Sequence, residues 1–437
     1  MAAINGNGAI VGTEAADQIT GGDGSDSIIG GAGADALNGG PGVDFAEYST
    51  SPAGIDASIA AGGAANDGAG GSDTFVGIEG IVGSLNNDRI VGGALPDVLI
   101  GLEGDDTIDG GAGNDLLRGN GGADQIAGGD GIDTAFYGGG LRGYAIAANG
   151  ANLAVSGNGA AGGPDGADAL AGVEVLAFAD GRMVFDPDDP AARVTRLYEA
   201  ALDRLPDQAG LNFWTGALQA GQPLSALASG FLESPEFAAR FGALPDNGAF
   251  IDRLYLNVLG READPAGKQG WLDLMNNGAG RAQVLEGFSE SAENKANTAG
   301  LVANGIWDRS ETAAAVARLY DTVLGRAPDA AGLSTWSALI DGGALSLRQV
   351  ADGFTGSAEF QARYGSLDDR DFVAELYRNS LDREPDAAGL EGWVGMLQRD
   401  MARSEVVLNF SESAEHVLLT APDIQSDVPS EYGILFA

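Results

Sequence analysis

Between Gly83 and Asp133 one apolar side chain recurs at every ninth residue: Ile90, Leu99, Ile108, Leu117 and Ile126, with Ala135 completing the series. Two positions ahead of each stands an aspartate (Asp88, Asp97, Asp106, Asp115, Asp124, Asp133), and a glycine opens each nine. The same register runs earlier, from Gly12, with Ile19, Ile28, Leu37 and Ala46 behind Asp17, Asp26, Asp35 and Asp44. One apolar residue flanked by outward-facing neighbours is the alternation of a very short strand with one buried face. The glycine-rich half predicts a corner, since glycine enters positive φ without steric cost. Four nines fill residues 12–47 and six fill 83–136. A connector, 48–82, lies between them; it alternates at Ile55, Ala57 and Ile59 and ends in Gly77, Ile78, Glu79, Gly80, Ile81. Its Asp67 and Asp73 read as turn residues rather than as added ligands.

After Tyr137 the period of nine stops. YAIAA, NLAVSG, GVEVLAFAD and RMVFD read as strands separated by turn residues, a β cap over residues 137–186 that covers the open end of the roll. At Asp186-Pro187-Asp188-Asp189-Pro190 glycine thins out and helical periodicity begins, with Pro190 suited to a first helical turn. Four units follow. Tyr198, Tyr255, Tyr320 and Tyr377 open them, and Trp214, Trp271, Trp336 and Trp393 each come sixteen residues later. Arg204, Arg261, Arg326 and Arg383 recur at a fixed offset, as do Asp207, Asp264, Asp329 and Asp386. Each unit reads as three or four short helices, with the serine of a Ser-x-Glu (Ser234, Ser291, Ser357, Ser413) as the cap of the last. Tyr198 to Tyr320 and Tyr255 to Tyr377 are both 122 residues apart, which marks a pair of units duplicated once: 187–300 and 301–420. The Arg and Asp positions read as a bridge that fixes a loop rather than a ligand clamp. The Trp residues read as core rather than sugar platforms, and the lone histidine, His416, as a surface position.

The nonapeptide GGxGxDxUx resembles the RTX repeat, a parallel β-roll that binds calcium. The resemblance implies that the sixth-position carboxylates of Asp17, Asp26, Asp35, Asp44, Asp88, Asp97, Asp106, Asp115, Asp124 and Asp133 hold calcium. Backbone carbonyls of Gly22, Gly24, Gly31, Gly33, Gly93, Gly104, Gly111, Gly113, Gly122, Gly129 and Gly131 would complete the shell, because calcium prefers six to eight oxygens. Terminal repeats are under-coordinated, which leaves roughly six ions. The helical units resemble an uncharacterised domain family that recurs behind RTX repeats in exported proteins of Gram-negative bacteria. The last residues, 421–437, end in Ile434, Leu435, Phe436 and Ala437 and resemble the uncleaved secretion signal of type I export, which makes that export machinery a transient partner. The expected architecture is multidomain β then α: a calcium-bound parallel β-roll with its cap (1–136 and 137–186), then an all-α tandem repeat.

Charge sharpens the picture. Asp and Glu total 63 against 23 Lys and Arg, a net charge of −40. That balance argues against nucleic acid or an anionic membrane as partner. Cysteine is absent, so there is no disulfide or thiolate chemistry. The first residues have neither a basic nor an apolar signal region, and no apolar run approaches a membrane span. No HExxH or G-x-S-x-G occurs, and repeats starting at Gly12 leave no catalytic domain ahead of them. The expectation is a secreted, non-enzymatic protein that folds on calcium and assembles with itself into a surface layer, filament or matrix. A glycan-binding adhesin using the helical units is the second reading, and a secreted hydrolase the third.

Overall fold

In a computed structural model the described residues are 2–150, 152–157, 165–242, 244, 246–424, 426 and 432–434. The chain divides into two compact units: Met1–Arg182 together with Arg309–Ala437, and Met183–Asp308.

In the first unit the repeats form a roll with two sheets of stacked parallel strands. One sheet takes Asp17–Thr20 and Ala36–Asn38, then Arg89–Val91, Thr107–Ala112 and Gln125–Asp130. The other takes Ser27–Ile29, Phe45–Glu47, Gly80–Val82, Val98–Glu103, Leu116–Gly121, Thr134–Phe136 and Val175–Phe178. Partners are eighteen residues apart, as in Ile108↔Ile126 and Leu99↔Leu117, so every turn sets apolar on apolar. The ten eighth-position side chains from Ile19 to Ala135 are all buried, none more than 3 % exposed. The roll also starts a turn earlier than the aspartate register shows. Ala2–Asn5 pairs with Asp17–Thr20, and Ala9–Val11 with Ser27–Ile29, although that turn carries Ala2 and Gly8 where later turns carry Asp.

The connector forms short strands. Asp56–Ser58, Gly63–Asn66 and Asp73–Val76 are three or four residues each and form an antiparallel insert within one sheet. Its first strand pairs with Arg89–Val91 and its last with Ala36–Asn38, while the other sheet passes directly from Phe45–Glu47 to Gly80–Val82. The cap repeats the device. Ala167–Ala171, which the alternation did not reveal, stacks parallel on Gln125–Asp130; Asn152–Gly157 and Tyr144–Asn149 follow it antiparallel. Tyr137, Tyr144 and Phe178 pack together there with ring centroids 5.2–5.4 Å apart.

Among the described residues the unit's helical part holds eight helices, from Glu311–Leu324 to Ala414–Ile424, around one apolar core. Of the tail expected at 421–437, residues 425, 427–431 and 435–437 lie outside the described residues. Ile434 is buried in that core, and its amide donates to Asp180 Oδ2 at 2.6 Å.

The second unit is the first pair of helical units. Pro190–Leu202, Gln208–Gln219, Leu224–Leu232 and Pro235–Phe241 make one, and four helices from Asn247–Val258 to Ala292–Ala303 make the other. Their joint core runs from Ala191 to Ile306. Ser234 caps its helix by accepting the Phe237 amide at 3.1 Å, and Ser291, Ser357 and Ser413 do the same in their units.

Candidate metal centre

All ten sixth-position aspartates are buried, the most exposed at 4 %. They stack in two ladders, one on each sheet, and each rung is fixed by the next. Oδ1 of the aspartate eighteen residues on accepts the backbone N–H of the one before: Asp17 to Asp35, Asp26 to Asp44, Asp88 to Asp106, Asp97 to Asp115, Asp106 to Asp124 and Asp115 to Asp133, at 2.7–2.8 Å. The ladders do not end with the repeats. Asp73 Oδ1 accepts from Asp35 N at 2.9 Å and Glu79 Oε2 from Asp44 N at 3.1 Å. In the cap Asp168 takes the amide of Asp124 and Glu174 that of Asp133. Asp73 is thus a rung of the ladder, 4 % exposed, and not a turn residue as expected. Sequence did carry a signal for this. GSDTFVGIE at 71–79 and GADALAGVE at 166–174 share one pattern, and each follows a D-x-A-x-Y (Asp44–Tyr48, Asp133–Tyr137).

What the second carboxylate oxygen does separates the turns. In the first turn of each block Oδ2 accepts an amide of its own loop: Thr13 to Asp17, Gly22 to Asp26, Ser84 to Asp88 and Gly93 to Asp97. In the later turns Oδ2 of Asp35, Asp44, Asp106, Asp115, Asp124 and Asp133 is buried and meets no donor. A buried carboxylate oxygen without a partner is costly unless a cation or a proton satisfies it.

Carbonyl oxygens lie beside them. A Cβ at Gly110 would sit 2.5 Å from Asp115 Oδ2 and 2.5 Å from the Gly128 carbonyl oxygen; at Gly128 it would sit 2.5 Å from Asp133 Oδ2 and 1.9 Å from the Gly172 oxygen. These first-position carbonyls were not among the glycines expected to contribute. Of those that were, the oxygens of Gly22, Gly24, Gly33, Gly93, Gly104, Gly111, Gly113 and Gly122 each face the glycine one turn on, where a Cβ would lie 1.4–2.6 Å away. Gly93 and Gly122 oxygens also accept amides from Ala112 and Ala167, both at 3.0 Å. Gly31, Gly129 and Gly131 hold left-handed backbone, with φ of 93°, 112° and 144°.

Electrostatics point the same way. Burial first, then the neighbouring carboxylates, pushes Asp106 up to about 8 and Asp97 to about 6. Asp168 rises to about 7 and Asp73 to about 6 for the same reasons. Burial also raises Asp35, Asp88, Asp115, Asp124 and Asp133. Among the described residues no three His, Cys, Asp or Glu side chains converge on one point. The donors are therefore one or two carboxylates with backbone carbonyls, all oxygen. That set fits a hard cation such as calcium and not zinc or a redox metal.

The helical units hold a different constellation. Each Arg pairs in bidentate fashion with the Glu of Ser-x-Glu: Arg204 with Glu236, Arg261 with Glu293, Arg326 with Glu359 and Arg383 with Glu415, at 2.5–3.2 Å. The Asp instead caps the second helix, as when Asp207 accepts the Gly210 amide at 2.7 Å. The expected Arg–Asp bridge is thus mainly an Arg–Glu bridge, because a bidentate carboxylate matches the planar guanidinium better. Each guanidinium lies 4.9–5.2 Å over its Tyr ring. The four repeat Trp are half-buried against Phe231, Phe288, Phe354 and Phe410.

Two ion pairs absent from the sequence reading lock units in pairs: Arg196 with Glu290, and Arg318 with Glu412, the second pair 122 residues beyond the first. His416 corrects an expectation. It is fully buried, with Nδ1 donating to the Ser380 carbonyl at 2.7 Å and Nε2 3.1 Å from Thr322 Oγ1. Its helix start faces the core rather than solvent.

Among the described residues no helix is long and apolar enough to cross a membrane. A family model described as a domain of unknown function (DUF4214) matches residues 189–241, 228–298, 308–363 and 351–420. Another, described as an RTX calcium-binding nonapeptide repeat (4 copies), matches 11–46, 82–117 and 100–135. No curated protein matches the chain.

Proposed function

Because this chain belongs to the DUF4214 family and carries RTX calcium-binding nonapeptide repeats ahead of its helical units, we propose that it is a secreted, calcium-dependent structural protein. The observation that carries the reading is the set of six buried sixth-position carboxylates whose Oδ2 meets no donor. Asp35, Asp44, Asp106, Asp115, Asp124 and Asp133, with neighbouring carbonyls, would hold the ions. Bound calcium supplies the positive charge that two stacked ladders of carboxylates lack. Without it, desolvation and like-charge repulsion oppose the roll, so the chain stays extensible where calcium is scarce, as type I export from a Gram-negative cell requires. Outside, ion binding becomes folding free energy. The seating of Ile434 in the folded core supports a tail that is legible to an exporter only before folding.

We further infer that the folded protein assembles with itself into a surface layer, filament or matrix. Support comes from the excess of acidic surface, a net charge of −40 that calcium can bridge between molecules, and from tandem arrays in both halves. The test takes purified chain from chelator into millimolar calcium and back, with light scattering and electron microscopy of the same samples. Ordered particles that dissolve on chelation are expected. A monomer at every calcium level overturns self-assembly while leaving the calcium-folding reading to circular dichroism.

A further inference from the structure

The seventh and ninth positions of each repeat flank the buried eighth and face out of the roll, and the two sheets fill them differently. On the sheet that holds Asp17–Thr20, Thr107–Ala112 and Gln125–Asp130 they are mostly polar, as at Gln18, Thr20, Arg89, Thr107, Asp109 and Gln125. On the other sheet they are mostly apolar. Ile29, Phe45, Val82 and Ile100 are half-buried there, while Leu116 and Phe136 are 42 % and 39 % exposed. The Phe45 ring lies over Gly80, where a Cβ would sit 2.3 Å from it. Corners that lead into this sheet add exposed Val43, Leu95 and Ile132. Scattered apolar residues on a surface are ordinary, but a continuous face of them marks a contact.

Eight strands of this sheet stack in the order Ala9–Val11, Ser27–Ile29, Phe45–Glu47, Gly80–Val82, Val98–Glu103, Leu116–Gly121, Thr134–Phe136 and Val175–Phe178. Their outward pattern complements itself when turned about a line parallel to the strands, between the fourth and the fifth. The third strand then faces the sixth of a second copy, so Phe45 meets Leu116 and Glu47 meets Arg118. Between fourth and fifth, Gly80 meets Val98 and Val82 meets Ile100. Between second and seventh, Ser27 meets Thr134 and Ile29 meets Phe136. Glu47 and Arg118 are the only charged residues at the outward positions of these eight strands, and the rotation sets opposite signs together. Glu47 is held on the face by the hydroxyls of Ser27 and Ser49, which donate to it at 2.5 and 2.6 Å. Arg118 forms no ion pair among the described residues, and its Nε is buried without a partner.

We propose that this face joins two copies of the chain in a two-fold dimer, roll against roll and sheet against sheet. The inference rests on the self-assembly reading and names its first contact, an apolar face rather than calcium between acidic surfaces. From strand spacing and rise, the strip measures roughly 34 by 10 Å. That is less than the about 800 Å² a standard interface takes from each partner, so the pairing is of modest affinity and is read at high protein concentration.

Sedimentation velocity of the full chain in millimolar calcium, over a range of protein concentrations, reads the pairing. The parent should dimerise. Leu116→Glu should weaken the dimer by about tenfold or more, because a charge is buried against Phe45. Val76→Glu, at a 64 % exposed residue of the opposite sheet, should leave it unchanged. Glu47→Arg and Arg118→Glu should each weaken it by setting like charges together, and the double variant should recover it. A Leu116→Glu chain that associates like the parent overturns the face and leaves self-assembly through other surfaces standing. A parent that stays monomeric overturns both. Should Leu116→Glu fail to fold by circular dichroism, the charge exchange decides: no recovery in the double variant overturns the two-fold pairing.

Discussion

Asp106 sits in the ladder with Oδ1 accepting the Asp88 amide and Oδ2 bare, and its value near 8 against an ordinary 3.8 has a definite consequence for pH. With calcium removed, the folded roll binds more protons than the unfolded chain between the two values. Stability of the metal-free roll is then fully present below about pH 4 and is lost as pH rises through about 8, with Asp168, Asp97 and Asp73 contributing over the lower part of that window. In calcium the sign reverses, because protons compete with the ion. Denaturation followed by far-ultraviolet circular dichroism at several pH values, in chelator and in calcium, should give opposite slopes; parallel curves would remove the ladder as the ion site. The arginines divide just as sharply. Arg196 is 1 % exposed and pairs bidentately with the partly buried Glu290, which keeps Arg193 at 3.5 Å, so Arg196→Ala should cost about 2 kcal/mol by removing two charge-assisted hydrogen bonds. Arg204→Ala, at a pair whose side chains are 35 % and 44 % exposed, should cost under about 1 kcal/mol. Urea titrations read by tryptophan fluorescence check both, and equal losses would refute the assignment of the buried pair as the lock.

At the level of elements, the roll is set by glycine corners as much as by its apolar rows. Gly131 has φ of 144°, and a Cβ there would sit 1.7 Å from the Gly113 carbonyl oxygen. Gly131→Ala therefore meets both a forbidden conformation and the turn beneath it. It should lower calcium-dependent stability by about 2 kcal/mol or more, read as a lower melting temperature in calcium, whereas Gly143→Ala, with φ unrestricted and no atom within 4 Å, should be near neutral. Period and burial made these turns legible in the sequence: a glycine, an aspartate and an aliphatic residue at fixed offsets can satisfy only one stack. The parts that escaped do so for physical reasons. Ala2–Asn5 and Ala9–Val11 stack without an aspartate, so the chemical marker of the repeat misses them while the strand geometry does not. Asp73, Glu79, Asp168 and Glu174 continue the ladder across inserts of different length, which hides them from any fixed spacing. His416 and the Arg196–Glu290 pair depend on contacts between units, and no periodicity within a unit records those.

For the whole molecule the decisive asymmetry is where the carboxylates are. The unit Met183–Asp308 has a core drawn entirely from its own residues, Ala191 to Ile306, and none of the ladder aspartates. Its arginine–glutamate pairs lie at the surface or, as with Arg196 and Glu290, are locked bidentately, and among its described residues no carboxylate oxygen is buried without a hydrogen-bond partner. The roll has the opposite constitution: thin apolar rows of one residue per nine, and a buried acid for each. Hydrophobic burial near 25 cal/mol per Å² cannot offset several desolvated like charges over so narrow a core. Chelation should therefore unfold Met1–Arg182 and leave Met183–Asp308 folded. Limited proteolysis in chelator, with the products weighed by mass spectrometry, should first remove the roll and accumulate a fragment that spans 183–308; in calcium the roll should resist. Digestion of that segment at the same rate as the roll would mean that the calcium ladder governs the helical unit too, and the division of labour between an ion-built half and a self-sufficient one would fall.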